Sequence, residues 1–211
     1  MYGKERVPDD SEYGKKLLEN WDHFVNLQNI MLKHINSWIG CGSYLIDGCS
    51  VDYDSSTYKK QLLFYEKAKT ASKALEIGVH GGHSLFIMLL ANPSIKITCI
   101  DICLWLHTEK CIKYLNENFG NRINLIKGDS ELLLPKLTET FDFIHLDGDH
   151  SYAKFSVDLN HAYRLSDMNT VFIFDDYIYG VAQAVSENRD KFNVIEVPDC
   201  RWNNCLACRI K

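Results

Sequence analysis

The sequence predicts an α/β fold: a doubly wound, mostly parallel sheet of seven strands, closed by a C-terminal antiparallel hairpin and preceded by an N-terminal helical extension. Three observations predict it. From about residue 74 onward, short runs rich in β-branched and aromatic residues alternate with helix-length segments. Those runs are apolar almost throughout, as strands covered on both faces must be. Glycine or acidic residues stand where the runs stop. Parallel neighbours require a crossover connection, and a helix is the usual one.

Taken in order, apolar residues recur at helical spacing over 13–38 (Leu17, Leu18, Trp21, Phe24, Leu27, Met31, Ile35), which predicts one or two amphipathic helices. Gly40, Gly42 and Gly48 interrupt the pattern, and a further helix is expected over 56–71. Strands are expected at 74–79, 95–100, 123–126, 141–146 and 170–174. After a helix near 181–190 come two strand-like runs, 192–197 and 204–210, and the short connection 198–203 suits an antiparallel hairpin. No repeat or linker divides residues 71–211, so residues 1–70 are read as a helical extension to one domain. Its aromatic residues Trp21, Phe24, Trp38 and Tyr44 suit a lid over a ligand, a contact in a homo-oligomer, or a helical layer packed on the sheet.

Composition narrows the function. The 211 residues carry a net charge of -5 with no sustained basic patch, which disfavours nucleic acid as a partner. The charged N-terminus lacks the apolar core of a signal peptide, and no apolar run approaches the roughly 20 residues of a membrane span, so a cytoplasmic protein without membrane contact is expected. Eight cysteines are then read as reduced thiols; Cys200, Cys205 and Cys208, with Cys41 or Cys49, lack the paired spacing of a structural zinc site.

Open α/β sheets bind ligands beyond the carboxyl ends of their strands. The first strand ends in Glu76-Ile-Gly78-Val-His80-Gly81-Gly82-His83-Ser84. Glycine permits positive φ there and lets a ligand approach the backbone, while the following helix presents unpaired N–H groups. His80 and His83 occupy positions where a dinucleotide fingerprint needs glycine, and a phosphate-binding loop would need Gly-Lys in place of His83-Ser84. The second strand ends at Asp101, 25 residues after Glu76, where a carboxylate can accept hydrogen bonds from both hydroxyls of a ribose. The third leads into Asp129 and Ser130, either of which can also cap a helix.

The fourth strand ends in His145-Leu-Asp147-Gly-Asp149-His150, and the fifth in Asp175-Asp176. Carboxylates gathered at a partly buried edge repel unless a cation or proton relieves them. Neighbouring strands lie roughly 4.8 Å apart, so aspartates from both can reach the roughly 2.1 Å bonds of a magnesium site. Oxygen ligands favour Mg²⁺ or Mn²⁺, although His150 widens the choice. Consecutive strand side chains face opposite ways, so Asp175 and Asp176 share one ion only if the pleat has ended.

Over residues 74–177 these motifs together resemble class I S-adenosylmethionine (SAM) dependent methyltransferases, most closely the metal-dependent, macrocin-type antibiotic sugar O-methyltransferases and more distantly catechol O-methyltransferase. The resemblance implies a Rossmann-like domain and assigns Glu76, Gly78, His80, Gly82 and Ser84 to the methionyl end of SAM, Asp101 to its ribose, and Asp129 and Ser130 to its adenine. It further assigns Asp147, which also belongs to the cofactor set, to the metal with Asp175 and Asp176. Asp149 falls at the general base of the sugar enzymes, and His150 where the catechol enzyme has lysine, which turns the reading away from catechol. Methyl transfer from SAM to a hydroxyl of a small molecule, with Asp149 or His150 taking the proton, is therefore the expected chemistry. The rival expectations are a metal-independent methyltransferase using His150 or His80 as base, a non-catalytic SAM-binding protein, and a nicotinamide oxidoreductase.

Overall fold

A computed structural model of the chain describes residues 2–34, 44–46, 50–196 and 205–209. Trp38, the glycines at 40, 42 and 48, Cys41, Cys49, Cys200 and the 198–203 connection lie outside the described residues, as do the side chains of Cys205 and Cys208. The chain forms two compact units that interleave in sequence: Met1–Lys69 with His80–Pro93 and Cys103–Arg122, and Thr70–Val79 with Ser94–Ile102 and Ile123–Lys211.

The first unit is helical. It comprises α1 (Glu12–Glu19), α2 (Trp21–Leu32), α3 (Tyr58–Ala68), α4 (His83–Ala91) and α5 (Thr108–Phe119). Ser11 starts α1 by accepting the N–H of Gly14. The apolar periodicity runs on past residue 19, yet Asn20 leaves helical geometry (φ -106, ψ 20) and its amide donates back to the Lys16 carbonyl, so two helices form. Every residue of α4 is buried, which is why that helix carries no polar face. Gly120, at φ 80, ends α5 in the left-handed conformation that favours glycine. Trp21, Phe24 and Tyr53 pack their rings together in this unit, as do Tyr44 and Phe64.

The second unit holds the sheet, built from β1 (Lys73–Ile77), β2 (Lys96–Asp101), β3 (Ile123–Lys127), β4 (Phe141–Leu146), β5 (Ser166–Phe174), β6 (Phe192–Glu196) and β7 (Cys205–Arg209). The order is β3-β2-β1-β4-β5-β7-β6. Strands β1 to β5 are parallel, a Rossmann-like α/β arrangement, while β7 runs antiparallel to both β5 and β6. Helices α6 (Ser130–Leu133), α7 (Tyr152–Arg164) and α8 (Tyr179–Glu187) follow β3, β4 and β5. The core gathers Leu75, Ile144, Phe155, Leu159, Phe172 and Phe174, all essentially inaccessible to water.

Strand β5 begins at Ser166, four residues before the expected start, because the register shifts opposite Phe141 and Phe143 and the Thr170 hydroxyl donates to the Phe141 carbonyl. Its first residues, Asp167, Met168 and Asn169, are exposed and carry no apolar pattern to read. Among the described residues no helix is long and apolar enough to cross a membrane. Strand order reverses between β1 and β4, which places the ligand crevice of such a sheet at their carboxyl ends.

Candidate active site at the carboxyl ends of the strands

Strands β1 and β4 pinch together where they end. Gly78 adopts φ +85, and a Cβ there would lie 2.0 Å from the Asp147 carbonyl oxygen, so no other residue fits. Backbone hydrogen bonds tie the turn down: the Gly78 N–H donates to Ile100 at 2.9 Å and the Asp147 N–H to Ile77 at 2.8 Å. The Val79 N–H donates to Oδ2 of Asp101 at 2.7 Å, so the carboxylate at the end of β2 braces the turn after β1. From there the chain enters the helical unit through His80 (φ 51) and Gly82 (φ 75), and Ser84 is buried in the first turn of α4. Within that unit the His80 ring lies edge-on to His107, with centroids 4.9 Å apart, and to Trp105 at 5.8 Å.

The ends of β4 and β5 concentrate charge. Glu76 and His145, register partners on β1 and β4, are both fully buried, and Nδ1 of His145 lies 3.3 Å from Oε1 of Glu76. Burial opposes a charge on His145, but Glu76, Asp147 and Asp175 outweigh it and raise the pKa above the ordinary value. Ligand atoms of His145, Asp147 and Asp175 all lie within 4.8 Å of one another. One residue, Leu146, separates His145 from Asp147, so the strand period puts them on one face. That alternation was the available sequence signal for His145, which the sequence reading left without a role.

Asp176 follows directly on this cluster. Its positive φ of 44 ends the pleat directly after Asp175. The Asp176 carboxylate faces Nδ1 of His150 at 3.4 Å, and Nε2 of the same ring faces Asp147 at 3.5 Å. Burial opposes the charge on His150 as well, and Asp147, Asp176 and Asp175 overcome it, raising the pKa. His145 thus stands with Asp147 and Asp175, and Asp176 lies against His150. Asp149 is exposed; hydrogen bonds from the Ser151 hydroxyl and from the Ser151 N–H, the latter at 2.8 Å, lower its pKa and shape the entry into α7.

At the end of β3, Asp129 caps α6 by accepting the Glu131 N–H at 3.0 Å and forms an ion pair with Lys154. Ser130 hydrogen bonds to Asp158, a carboxyl only 5% exposed on the inner face of α7. Burial raises the Asp158 pKa to about 6, further than the Ser130 bond lowers it. Sequence reasoning missed Asp158; its spacing from Phe155, Leu159 and Ala162 would have marked it as a carboxylate on a buried face.

The family model described as "Methyltransferase domain" matches residues 75–177. Among curated proteins none matches significantly. Solved structures of similar fold include SAH-bound Podospora anserina methyltransferase PaMTH1, 13% identical, with 97% of this chain and 98% of that one covered at a TM-score of 0.66. They also include the O-methyltransferase TomG of Streptomyces achromogenes, involved in tomaymycin synthesis and solved with SAM (16% identity, 90% of each chain, TM-score 0.64). A third is the O-methyltransferase of Bacillus cereus in complex with SAH (18% identity, 97% and 93% covered, TM-score 0.58). This match, with the strand order, makes residues 75–177 a methyltransferase domain.

Proposed function

We propose that the protein is a divalent-metal-dependent O-methyltransferase that moves the methyl group of SAM to a hydroxyl of a small molecule, a sugar or glycoside. The observation that carries this reading is the convergence of Asp147 and Asp175, from adjacent parallel strands, with a buried imidazole in one cluster of ligand atoms. Two carboxylates and one nitrogen fit a divalent ion, and the ion would relieve a repulsion that otherwise costs stability. The O-methyltransferases of similar fold support the reaction type.

The motif after β1 assigns Glu76, Gly78, His80, Gly82 and Ser84 to the methionyl end of SAM, Asp101 to the ribose, and Asp129 with Ser130 to the adenine. Asp101 suits its role because Oδ2 is already anchored by Val79, which orients the carboxylate before any ligand arrives. Asp147 and Asp175, with Asp176 beside them, would hold Mg²⁺ or Mn²⁺. When bound, SAM supplies an activated methyl group and the ion a Lewis acid and template for vicinal oxygens. An alcohol needs a proton acceptor, and His150 and Asp149 stand at the mouth of β4. His150 is the better matched of the two, because Asp149 is committed to Ser151 and weakened as a base by its lowered pKa.

The bridge from Asp147 through His150 to Asp176 also supports a second reading, a metal-independent enzyme in which His150 alone takes the proton. Calorimetric titration with S-adenosylhomocysteine, with and without Mg²⁺ and beside Asp101→Ala, tests the cofactor site, and binding lost in the variant is expected. No binding under any condition would overturn the methyltransferase reading. Activity that survives a chelator would leave the second reading standing and remove the first.

A further inference from the structure

The geometry points to His145 as a metal ligand, with Glu76 as the carboxylate that orients it, so that the cluster at the ends of β4 and β5 takes a first-row transition ion such as Mn²⁺, Fe²⁺ or Co²⁺ in preference to Mg²⁺. This rests on the metal-dependent reading above and specifies its ion.

Three observations converge on it. His145 shares a strand face with Asp147, and its ligand atom lies within 4.8 Å of those of Asp147 and Asp175. The ring is fully buried, so its orientation is set by packing. Its Nδ1 is engaged by Glu76 at 3.3 Å, itself fully buried. Metal-bound histidines characteristically donate one ring N–H to a carboxylate, which selects the tautomer that presents the other nitrogen to the ion. Glu76 and His145 have that relationship, with Nε2 the nitrogen that ligation uses. Asp147, whose side chain is 23% exposed, leaves the cluster open to solvent on one side, as an ion that also meets a substrate requires.

The chemical consequence concerns selectivity. Magnesium seeks an octahedron of hard oxygens and keeps several waters, whereas an imidazole nitrogen favours first-row transition ions. One nitrogen and two carboxylates therefore set the site apart from one made of oxygens alone.

Mn²⁺ titrated into the full-length protein, followed by electron paramagnetic resonance and its spin-echo modulation, reads both affinity and nitrogen ligation without turnover. Wild type should show ¹⁴N modulation and bind Mn²⁺ at least about tenfold more tightly than Mg²⁺. The modulation should persist in His150→Gln and vanish in His145→Gln. Mn²⁺ bound without nitrogen modulation, or modulation lost in His150→Gln, would overturn the assignment of His145 while leaving the metal reading intact. No bound ion in wild type would overturn both. Should His145→Gln fail to fold, the wild-type and His150→Gln spectra still decide.

Discussion

His145 and Glu76 face each other across β4 and β1 at 3.3 Å with no exposed surface on either side chain. Removing one partner of a buried ion pair strands the other in a medium that cannot solvate it, which costs about 3–5 kcal/mol, while replacing both with apolar groups of similar volume is far milder. Glu76→Leu and His145→Leu should each lower the melting temperature steeply, and the double variant should recover much of the loss. Chemical denaturation of all four proteins, read as a double-mutant cycle, checks this; additive losses would count against a coupled pair.

Gly78, at the start of the turn after β1, has no room for a side chain. Because a Cβ on Gly78 would meet the Asp147 carbonyl at 2.0 Å, Gly78→Ala must part the ends of β1 and β4. We expect a loss of at least about 2 kcal/mol in stability and of S-adenosylhomocysteine binding together. Gly120, with open space around it, should accept alanine at about 1 kcal/mol, the cost of its left-handed φ alone. Equal effects at the two glycines would refute the argument from close approach.

His83 is fully buried against Gln28, and burial, followed by the neighbouring His80 and His107, depresses its pKa to about 3. The unfolded chain takes up a proton near pH 6.5 that the folded one refuses, so this contribution to stability is intact above that pH and drains away below it. The loss should reach about 2 kcal/mol by about pH 5. His83→Gln should show a flatter acid limb in its pH–stability profile; an unchanged limb would exclude His83 as a cause.

Asp158 works in the opposite direction. Its folded pKa of about 6 lies above the unfolded value, so the folded state binds the proton more tightly. Stability from this group is therefore greatest at acid pH and falls as pH rises from about 4 to about 6. Asp158→Asn should stabilise the protein at pH 8 by on the order of 2 kcal/mol while keeping a partner for Ser130. Denaturant midpoints at acid and alkaline pH will show it, and a destabilised variant at pH 8 would count against the burial argument.

The two proton acceptors can be separated kinetically. His150→Gln should lower kcat by about 10²-fold or more with little change in KM, as removal of a general base does. Asp149→Asn, whose Oδ1 can still accept the Ser151 N–H, should instead leave stability nearly unchanged and kcat within a few fold. Reversed effects would move the proton to Asp149.

Read alone, the sequence determined the alternating strands and helices, the parallel core of the sheet, the glycine turn after β1 and the acidic residues that end β2, β4 and β5. Those features are written in local chemistry: apolar runs, residues able to take positive φ, and charges placed where an apolar run stops. The break at Asn20 and the early start of β5 were not legible, because the first depends on a side-chain amide turning back to Lys16 and the second on a register shift against Phe141. Nor was the membership of the charged cluster. Sequence adjacency could not say whether the pleat ends between Asp175 and Asp176, which the positive φ at Asp176 decides, and strand pairing brings in His145 and Glu76 from different parts of the chain. Which side chains meet at a sheet edge is decided by register and backbone rotation, and those are set only when distant segments pack.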